Sequence, residues 1–310
     1  MTATRAGRPV AVCAGLVADR LLGEPPDPWH PVAAFGKAME SLEPRLWADR
    51  RQAGVAYAAL GTGAAAGLGA ALSRRTGRGA VVAATYVSVA GRSLLEAAGD
   101  VAGALEEGDL VRAREQVGRL VGRETADLDE AGVCRAAVES VAENTVDAVT
   151  APLVWAAAAG APGVLAYRAV NTLDAMVGHH NGRYERFGWA SARADDVANW
   201  LPARITAALV AAVRPRRAAA VRRAVRAQAP AHPSPNAGVV EAAFAAALGV
   251  RLGGVNHYAG RTETRAPLGW GPAPTTPDIR AACRLSRDVT VAAGATLIAT
   301  AAAAAAARRP

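Results

Sequence analysis

The sequence contains very little lysine and cysteine, and these absences exclude several classes of protein. Lys37 is the only lysine among the 35 Lys and Arg residues. The chain therefore has no GxxxxGK(S/T) phosphate-binding loop, and a pyridoxal phosphate enzyme is disfavoured because Lys37 would be its only Schiff-base lysine. Cys13, Cys134 and Cys283 lie far apart and form no CxxC pair. This spacing argues against a zinc module or a disulfide scaffold.

Charged residues make up only 20% of the 310 residues and aromatic residues only 5%, whereas 52% are hydrophobic. This composition excludes a disordered or fibrous chain. Three stretches carry no charge: Ala53–Ser73 (21 residues), Ala148–Tyr167 (20) and Val289–Ala307 (19). A helix of about 20 apolar residues spans the hydrocarbon core of a bilayer. Buried Ala-rich helices of a large soluble protein would show the same pattern, but we favour the membrane.

These patterns predict an all-α, multi-pass integral membrane protein with helical loop regions, located in the cell membrane. Runs of alternating β-branched residues with hairpin turns are absent. We expect a single domain over residues 1–310. Pro152 and the run Gly160–Gly163 interrupt one apolar stretch, which predicts a broken helix or a buried hairpin there. The candidate membrane segments are residues 9–22, 53–73, 79–95, 148–167, 197–213 and 289–307.

Small and basic residues give two further predictions. Gly63 and Gly67 are spaced as GxxxG inside an apolar segment, which predicts close helix packing at that point. Six arginines between Arg214 and Arg226 suit either nucleic-acid phosphates or the cytoplasmic flank of a membrane helix. We favour the flank, because no aromatic residues are interleaved with the arginines. The expected partner is therefore the lipid bilayer and not nucleic acid.

Acidic residues form two clusters around an apolar segment. Glu139, Glu143 and Asp147 are spaced at i, i+4 and i+8, which would place them on one helical face where like charges repel. Asp195 and Asp196 form a second acidic group. We predict that these five carboxylates supply ligands for Mg²⁺, which prefers oxygen ligands and bridges to phosphates. The alternative is a solvated acidic face that pairs with arginines.

Basic and amide side chains lie between and beyond these acids. Arg168, Arg183 and Arg204 are predicted to hold phosphate oxygens, because guanidinium groups bind them in a bidentate manner. Asn171 is predicted to take part in the same binding, and Asp174 to take part in the chemistry.

Histidine occurs in two motifs of different kinds. His179 and His180 are adjacent and lack zinc-ligand spacing, so we predict that they make loop contacts. His232-Pro-Ser234-Pro-Asn236-Ala-Gly238 precedes an apolar helix. Either Ser234 or Asn236 is predicted to cap that helix, whose N-terminal N–H groups favour anions. The helical spacing places Glu241 on the side opposite the apolar face.

Five polar motifs follow one another along the chain: Asp19-Arg-Leu-Leu-Gly-Glu-Pro-Pro26 with His30-Pro31, Glu139-Ser-Val-Ala-Glu143-Asn-Thr-Val-Asp147, Asn171-Thr-Leu-Asp174-Ala-Met-Val-Gly178, Asp195-Asp196 with Asn199 and Pro202-Ala-Arg204, and the His232–Gly238 motif. In this order, from about residue 11 to residue 285, they resemble the CobD/CbiB family of adenosylcobinamide-phosphate synthases.

The resemblance implies a multi-pass membrane enzyme of cobalamin biosynthesis. Its reaction would join (R)-1-amino-2-propanol, or its O-phosphate, in amide linkage to the remaining propionate carboxylate of adenosylcobyric acid. The product would be adenosylcobinamide or its phosphate. Other membrane enzymes of the same pathway are further candidate partners. The rival reading is a non-catalytic membrane carrier or scaffold that binds a corrinoid or a phosphorylated ligand.

An ATP-dependent carboxylate–amine ligase needs ATP and Mg²⁺, because a free carboxylate does not accept an amine in water. An acyl phosphate and an adenylate are both open as the activated form. His232 or an aspartate would take the proton from the attacking amine. The predicted catalytic residues are Glu139, Glu143, Asp174, His232 and Asn236; the substrate- and phosphate-binding residues are Arg168, Asn171, Arg183, Arg204 and Ser234; the metal ligands are Glu139, Glu143, Asp147, Asp195 and Asp196.

Overall fold

The computed structural model describes residues 7–26, 29–179, 181–258 and 261–307, most of which are helical. In chain order, the longer elements are α1 (Arg8–Leu22), α2 (Pro31–Leu46), α3 (Arg51–Thr76), α4 (Arg78–Ser88), α5 (Gly91–Glu106), α6 (Leu110–Gly118), α7 (Glu130–Thr145), a π-helical turn (Val146–Thr150), α8 (Ala151–Val177), α9 (Trp189–Val213), α10 (Ala218–Ala227), α11 (Ala237–Leu248), β1 (Leu252–Tyr258), β2 (Arg261–Leu268) and α12 (Thr276–Ala306).

The chain divides into two compact units. Unit one comprises Met1–Ala90, Asp147–Asn199 and Ala293–Pro310, and unit two comprises Gly91–Val146 and Trp200–Ala292. Helices α9 and α12 each contribute residues to both units. The two units are described separately below.

Unit one is built from long Ala- and Gly-rich helices that pack closely. Its α3 packs along α8, and its α1 packs along α4. A cluster of large side chains fills the space beside them: Met39, Tyr57, Leu173, Val177 and Phe187. The Tyr57 hydroxyl donates a hydrogen bond to the backbone oxygen of Met39 at 3.2 Å, so its polar group is satisfied inside this apolar cluster.

Close packing along α3 depends on glycines that the GxxxG spacing did not single out. A Cβ atom on Gly54 would lie 1.8 Å from the backbone oxygen of Phe187, and one on Gly69 would lie 2.7 Å from the backbone oxygen of Ala161. Gly63 and Gly67 have no atom within 4 Å of the same position. The prediction of close packing at Gly63 and Gly67 is therefore wrong, because the contact face of α3 is a different one.

The apolar stretch 148–167 is a broken helix, as one of the two sequence alternatives predicted. Gly160 interrupts α8 with a φ of 71°, and Pro162 follows it. Such a backbone conformation favours glycine because it has no Cβ. The π-helical turn Val146–Thr150 precedes α8. Because a π turn contains an extra residue, it changes the helical phase, and Asp147 does not continue the i, i+4 stack of Glu139 and Glu143.

Unit two has one continuous core made largely of Ala and Val. Buried side chains from α5, α6, α7, α10 and α11 contribute to it, and Phe244 is its large aromatic residue. Ile279, Leu285 and Val289 of α12 complete it. Small side chains let these helices approach closely, which explains why a chain so poor in aromatic residues still forms a packed interior.

Unit two also contains a β-hairpin, which corrects the all-α prediction. Strands β1 and β2 pair antiparallel, from Leu252 opposite Leu268 to Tyr258 opposite Arg261. The register shifts between Leu252 and Gly254, where Gly253 has a φ of 83°. The β2 sequence Arg-Thr-Glu-Thr-Arg alternates Thr with charged residues. The expectation that alternating β-branched residues are absent is wrong here, because Thr262 and Thr264 alternate with charged residues in β2.

Three helical stretches are long and apolar enough to cross a membrane: Arg51–Thr76, Glu130–Val177 and Thr276–Ala306. They contain the predicted segments 53–73, 148–167 and most of 289–307. Segment 9–22 lies in the 15-residue α1, segment 79–95 is divided between α4 and α5, and segment 197–213 lies within α9. These three segments do not meet the same criteria of length and apolarity within the described residues.

Candidate functional site

Four polar side chains of unit one form a group that we call the carboxylate–amide cluster: Asp147, Asn171, Asp195 and Asn199. The Asn171 side-chain amide donates to Asp147 Oδ2 and to Asp195 Oδ1, each at 3.3 Å. Asn199 donates to Asp195 Oδ2 at 3.0 Å and accepts from the Tyr167 hydroxyl at 2.9 Å. One amide thus bridges two carboxylates, and the second amide holds one of them in place.

The local fold explains how these residues meet. Asp147 lies on the π-helical turn, Asn171 lies on α8, and Asp195 and Asn199 are one turn apart on α9. Asp147, Asn171 and Asp195 are partly exposed, whereas Asn199 is buried. Burial raises the pKa of Asp195 above its ordinary value, and hydrogen bonds from Asn171 and Asn199 oppose that rise. Burial thus disfavours the charged form of Asp195, and the two amide hydrogen bonds stabilise it.

Arg168 lies beside this cluster. Its Nη1 donates to Asn171 Oδ1 at 3.4 Å. Its Nε is buried and has no hydrogen-bond partner among the described residues. A guanidinium with a free donor next to a pair of carboxylates can bind an anion that also contacts a metal ion.

The remaining predicted acids of unit one have other surroundings. Asp196 lies 3.5 Å from Arg193 in an i, i+3 ion pair, and burial raises the pKa of Asp196. Asp174 lies near the end of α8, where its backbone oxygen accepts from Gly178 at 2.7 Å. The Asp174 carboxylate lies so close to Gly178 that a Cβ atom there would be 1.9 Å from Asp174 Oδ1.

Arg183 already has an anionic partner, which argues against its predicted role with phosphate. Its Nε and Nη2 donate to Glu43 Oε1 at 3.2 and 2.8 Å, and the Tyr184 hydroxyl donates to the same oxygen at 3.0 Å. The guanidinium also stacks on the Trp47 ring at 5.0 Å. These contacts hold the Arg183 guanidinium in an ion pair with Glu43.

Unit one has an open cleft of about 630 Å³, which we call the unit-one cleft. It runs along one face of α2. Its polar lining is Glu24, His30, Glu40, Glu43, Thr172 and Tyr184, and its apolar lining is Val32, Ala33 and Met176, with Gly36 between them. The cleft therefore contains residues of two of the motifs that carry the family resemblance.

In unit two, Glu139 is a buried structural carboxylate. It pairs with Arg123 through a short hydrogen bond, lies 3.7 Å from Arg135, and accepts from the backbone N–H of Gly253 at 2.8 Å. Asn256 accepts from both arginines. Because both oxygens of Glu139 are engaged, the prediction that it binds metal or acts in catalysis is not supported. The alternative prediction was a solvated acidic face that pairs with arginines. Arginines do pair with Glu139, but this side chain is buried and not solvated.

A second group in unit two joins Glu143 to the His232 motif. Arg265 Nη1 lies 3.9 Å from Glu143 Oε1 and 3.7 Å from Glu241 Oε1. His232 Nε2 lies 3.4 Å from the same Glu241 oxygen. Glu241 is completely buried, which corrects the prediction that it lies on an outer face of its helix. Glu143 is the most exposed carboxylate of the group, with 37% of its side chain accessible.

Burial controls the protonation of this second group. Burial, together with the charges of Glu143 and Glu139, raises the pKa of Glu241 well above its ordinary value. Burial and the charge of Arg265 lower the pKa of His232. At neutral pH, the ring of His232 is therefore uncharged, and only 1% of its side chain is exposed.

The His232 motif shapes the start of α11. Ser234 Oγ accepts from the backbone N–H groups of Asn236 and Ala237 at 3.3 and 3.1 Å. Asn236 is the N-cap residue of α11, but its side chain makes no capping hydrogen bond. Gly238 allows His232 to approach, because a Cβ atom there would lie 2.4 Å from the Cβ of His232. Arg204 donates to Asn236 Oδ1 at 3.4 Å and stacks on the Trp200 ring at 4.1 Å.

The predicted five-carboxylate metal set is thus distributed over separate places. Asp147 and Asp195 meet in unit one, whereas Glu139 and Glu143 lie in different groups of unit two. No group of three or more His, Cys, Asp or Glu side chains suited to a metal ion occurs among the described residues. His180 lies outside the described residues. The sequence analysis missed the partners Arg123, Arg135, Glu241, Asn256 and Arg265; a glutamate within the apolar α11 was the one available signal.

Comparisons with known proteins identify the family. The model of the family described as CobD/Cbib protein matches residues 12–286. Proteins named cobalamin biosynthesis protein CobD are 48% identical in Mycobacterium tuberculosis over 299 residues (94% of this chain and 95% of the relative) and 48% identical in Chromobacterium violaceum over 283 residues (87% and 89%). The relative in Geobacter metallireducens is 45% identical over 280 residues (86% and 87%).

The chain therefore belongs to the CobD/CbiB family, whose members take part in cobalamin biosynthesis. No solved structure matches it.

Proposed function

We propose that this protein is a multi-pass membrane enzyme that forms the amide bond between adenosylcobyric acid and aminopropanol or aminopropanol phosphate. Family membership supports a biosynthetic role on a corrinoid. The resemblance of the motifs supports the specific reaction. Three membrane-length helices support a location in the cell membrane.

The observation that carries the proposal is the carboxylate–amide cluster with Arg168 beside it. Mg²⁺ is commonly held by one or two carboxylates together with waters and substrate phosphates. Asp147 and Asp195 both lie 3.3 Å from the amide nitrogen of Asn171 and are partly exposed, so they fit this mode of binding. We assign Mg²⁺ to these two carboxylates, and we place Asn171 and Asn199 as the residues that orient them.

ATP with Mg²⁺ would supply the free energy and the leaving group that a propionate carboxylate needs before it accepts an amine. Arg168 would bind phosphate oxygens through its buried Nε and its Nη groups. The carboxylate–amide cluster would hold the phosphate end of the nucleotide in one orientation.

The amine must lose a proton to form an amide. His232 is the proton acceptor that its motif suggests, and burial keeps its ring neutral by lowering its pKa. Glu241 Oε1 lies 3.4 Å from His232 Nε2 and 3.7 Å from Arg265 Nη1. We therefore keep His232 as the proposed base, with Glu143 as the accessible acid of the same group.

Amide synthesis by the purified, detergent-solubilised protein tests the proposal directly. The complete mixture contains adenosylcobyric acid, aminopropanol or its O-phosphate, Mg²⁺ and ATP, and each component is omitted in turn. Corrinoid amide is expected only in the complete mixture, with release of ADP or AMP identifying the activated form. Corrinoid binding without product under any condition would instead favour a carrier or scaffold.

A further inference from the structure

We infer that a groove between α5 and α12 binds an anionic phospholipid, whose phosphate is held by Arg284 and Arg287. We call it the unit-two groove, because every residue that lines it belongs to unit two. Its volume is about 220 Å³. None of its residues takes part in the proposed reaction. The inference therefore shares only the membrane location with the proposed function.

The arginines on the α12 side of the groove are the first observation. Arg280, Arg284 and Arg287 all line it. Arg280 is already engaged, because its Nε and Nη2 donate to the two carboxylate oxygens of Glu106 at 3.0 and 2.8 Å. Arg284 and Arg287 are exposed and have no carboxylate partner in the described part of the chain. Because they lie one turn apart on one helix, their guanidinium groups can bind a single phosphate between them.

The nearby acids do not neutralise these two arginines. Asp288 follows them on α12, but its carboxylate pairs with Arg214 at 2.8 Å. On α5, Asp100 comes two residues after Ala98, which lines the groove, so helical geometry places Asp100 on the other side of that helix. The groove therefore carries net positive charge, which attracts an anion.

The α5 side of the groove is apolar, which is the second observation. Leu95, Ala98 and Ala102 line it from α5, and Ile279 contributes a buried side chain from α12. Carbon atoms of a ligand can cover this surface, whereas an inorganic anion cannot. The volume of about 220 Å³ is below the roughly 300–1,000 Å³ typical of sites for cofactors and drug-sized ligands. The groove suits one phosphate with the first carbons of its glycerol and acyl groups.

The position of the groove along α12 selects a lipid as the source of the phosphate. Helix α12 is long and apolar enough to cross a membrane, and its stretch Val289–Ala307 carries no charge. At 1.5 Å per residue, Arg287 lies about 3 Å and Arg284 about 7.5 Å before the start of this stretch. With the apolar stretch in the hydrocarbon core, both arginines lie at the depth of the lipid headgroups, where basic pockets bind anionic lipids.

Native mass spectrometry of the full-length protein in a neutral detergent tests the inference, with phosphatidylglycerol as the probe. We expect Arg284→Gln with Arg287→Gln to raise Kd for the most tightly bound phosphatidylglycerol by roughly tenfold or more. Arg112→Gln with Arg119→Gln removes the same charge from exposed positions on or next to α6 and should leave this Kd unchanged. Phosphatidylcholine with the same acyl chains should bind the natural protein more weakly, because it carries no net charge.

Gly99 allows the groove to be blocked without a change of charge. It lines the groove, and a Cβ atom there would have Arg280 Nη1 as its nearest neighbour, at 3.8 Å. Gly99→Leu should therefore fill the groove and raise the same Kd by roughly tenfold or more. Gly103→Leu is the control, because Gly103 lies on α5 outside the lining and has no atom within 4 Å of its Cβ position. Both variants should keep the melting temperature in lipid-free detergent, since leucine favours the helix.

The outcomes separate this inference from the proposed function. Equal Kd values for the two lipids, or an unchanged Kd in Gly99→Leu or in the double arginine variant, would overturn the inference, and amide synthesis would still stand on its own test. Displacement of the lipid by inorganic phosphate or glycerol 3-phosphate at similar concentrations would assign the groove to a soluble phosphate and overturn the lipid assignment. Groove-dependent lipid binding by a protein that forms no amide would support the inference without the function.

Discussion

Glu241 is a completely buried glutamate in an apolar helix, and neither of its carboxylate oxygens accepts a hydrogen bond from a donor in the part of the chain that the structure describes. Burial raises its pKa, so the folded protein keeps it protonated at a pH where the unfolded chain has lost the proton. Stability must therefore fall as pH rises above the ordinary value of about 4.3 toward the folded-state pKa.

Glu241→Gln should remove this dependence, because glutamine mimics the protonated acid. The melting temperatures of the variant and the natural protein should be similar near pH 5, and the variant should be several degrees more stable near pH 8. Between these two pH values, the free energy of unfolding of the natural protein should fall by at most about 1.4 kcal/mol per pH unit. Thermal unfolding in detergent at pH 5 and at pH 8 measures the melting temperatures of the two proteins. Glu107→Gln, at an exposed pair with Arg112, is the control and should show no such gap.

The charge of Asp195 is a second feature of a single residue that can be tested. Asp195→Asn keeps the shape of the side chain but removes the charge that we assign to Mg²⁺. We expect kcat for amide synthesis to fall by roughly 100-fold or more and the Mg²⁺ requirement to rise. Asp49→Asn, at an exposed pair with Arg186, should leave both unchanged. Full activity of Asp195→Asn at low Mg²⁺ would remove Asp195 from the proposed metal site.

Among the helices, α3 shows how a single glycine determines packing. Gly54→Ala would place its new methyl group 1.8 Å from the backbone oxygen of Phe187, so one of the two segments must move. We expect a loss of stability of about 1–3 kcal/mol. Gly63→Ala in the same helix meets no neighbouring atom and should be neutral or slightly stabilising. Thermal unfolding of the two variants compares these positions, and equal melting temperatures would contradict the packing face described here.

Patterns within one element were predictable from the sequence, whereas contacts between distant elements were not. Pro152 and Gly160 predicted the break in the apolar stretch, and Asp195 with Asp196 predicted an acidic group that lies on α9. The hairpin was not predicted, because β2 is rich in charged residues. Its Arg265 lies near Glu143 and Glu241 only in the folded chain. Those partners are more than 20 residues away in sequence, and spacing alone gives no information about them.

At the scale of the whole molecule, sequence spacing again gives no information about distant partners, and the predicted five-carboxylate metal site does not form for that reason. Glu139, Glu143 and Asp147 look equivalent in the sequence, yet each carboxylate has a different partner: Arg123 for Glu139, Arg265 for Glu143 and Asn171 for Asp147. Asp147 lies on the π-helical turn, which interrupts the regular helical spacing after Glu143. The family, by contrast, was recognisable from the sequence and is confirmed, because its motifs are long, polar and in order.

Membrane insertion is the last prediction, and it depends on the outer surface of α3. Leu60 and Leu68 are 51% and 57% exposed on a 26-residue apolar helix, an arrangement suited to lipid. Leu60→Arg with Leu68→Arg should greatly reduce the carbonate-resistant membrane fraction, since each central arginine opposes insertion by about 2.5–3.5 kcal/mol. Val111→Arg, at a site that is 65% exposed on the short α6, should leave this fraction unchanged. An unchanged fraction in the double variant would mean that α3 does not cross the bilayer.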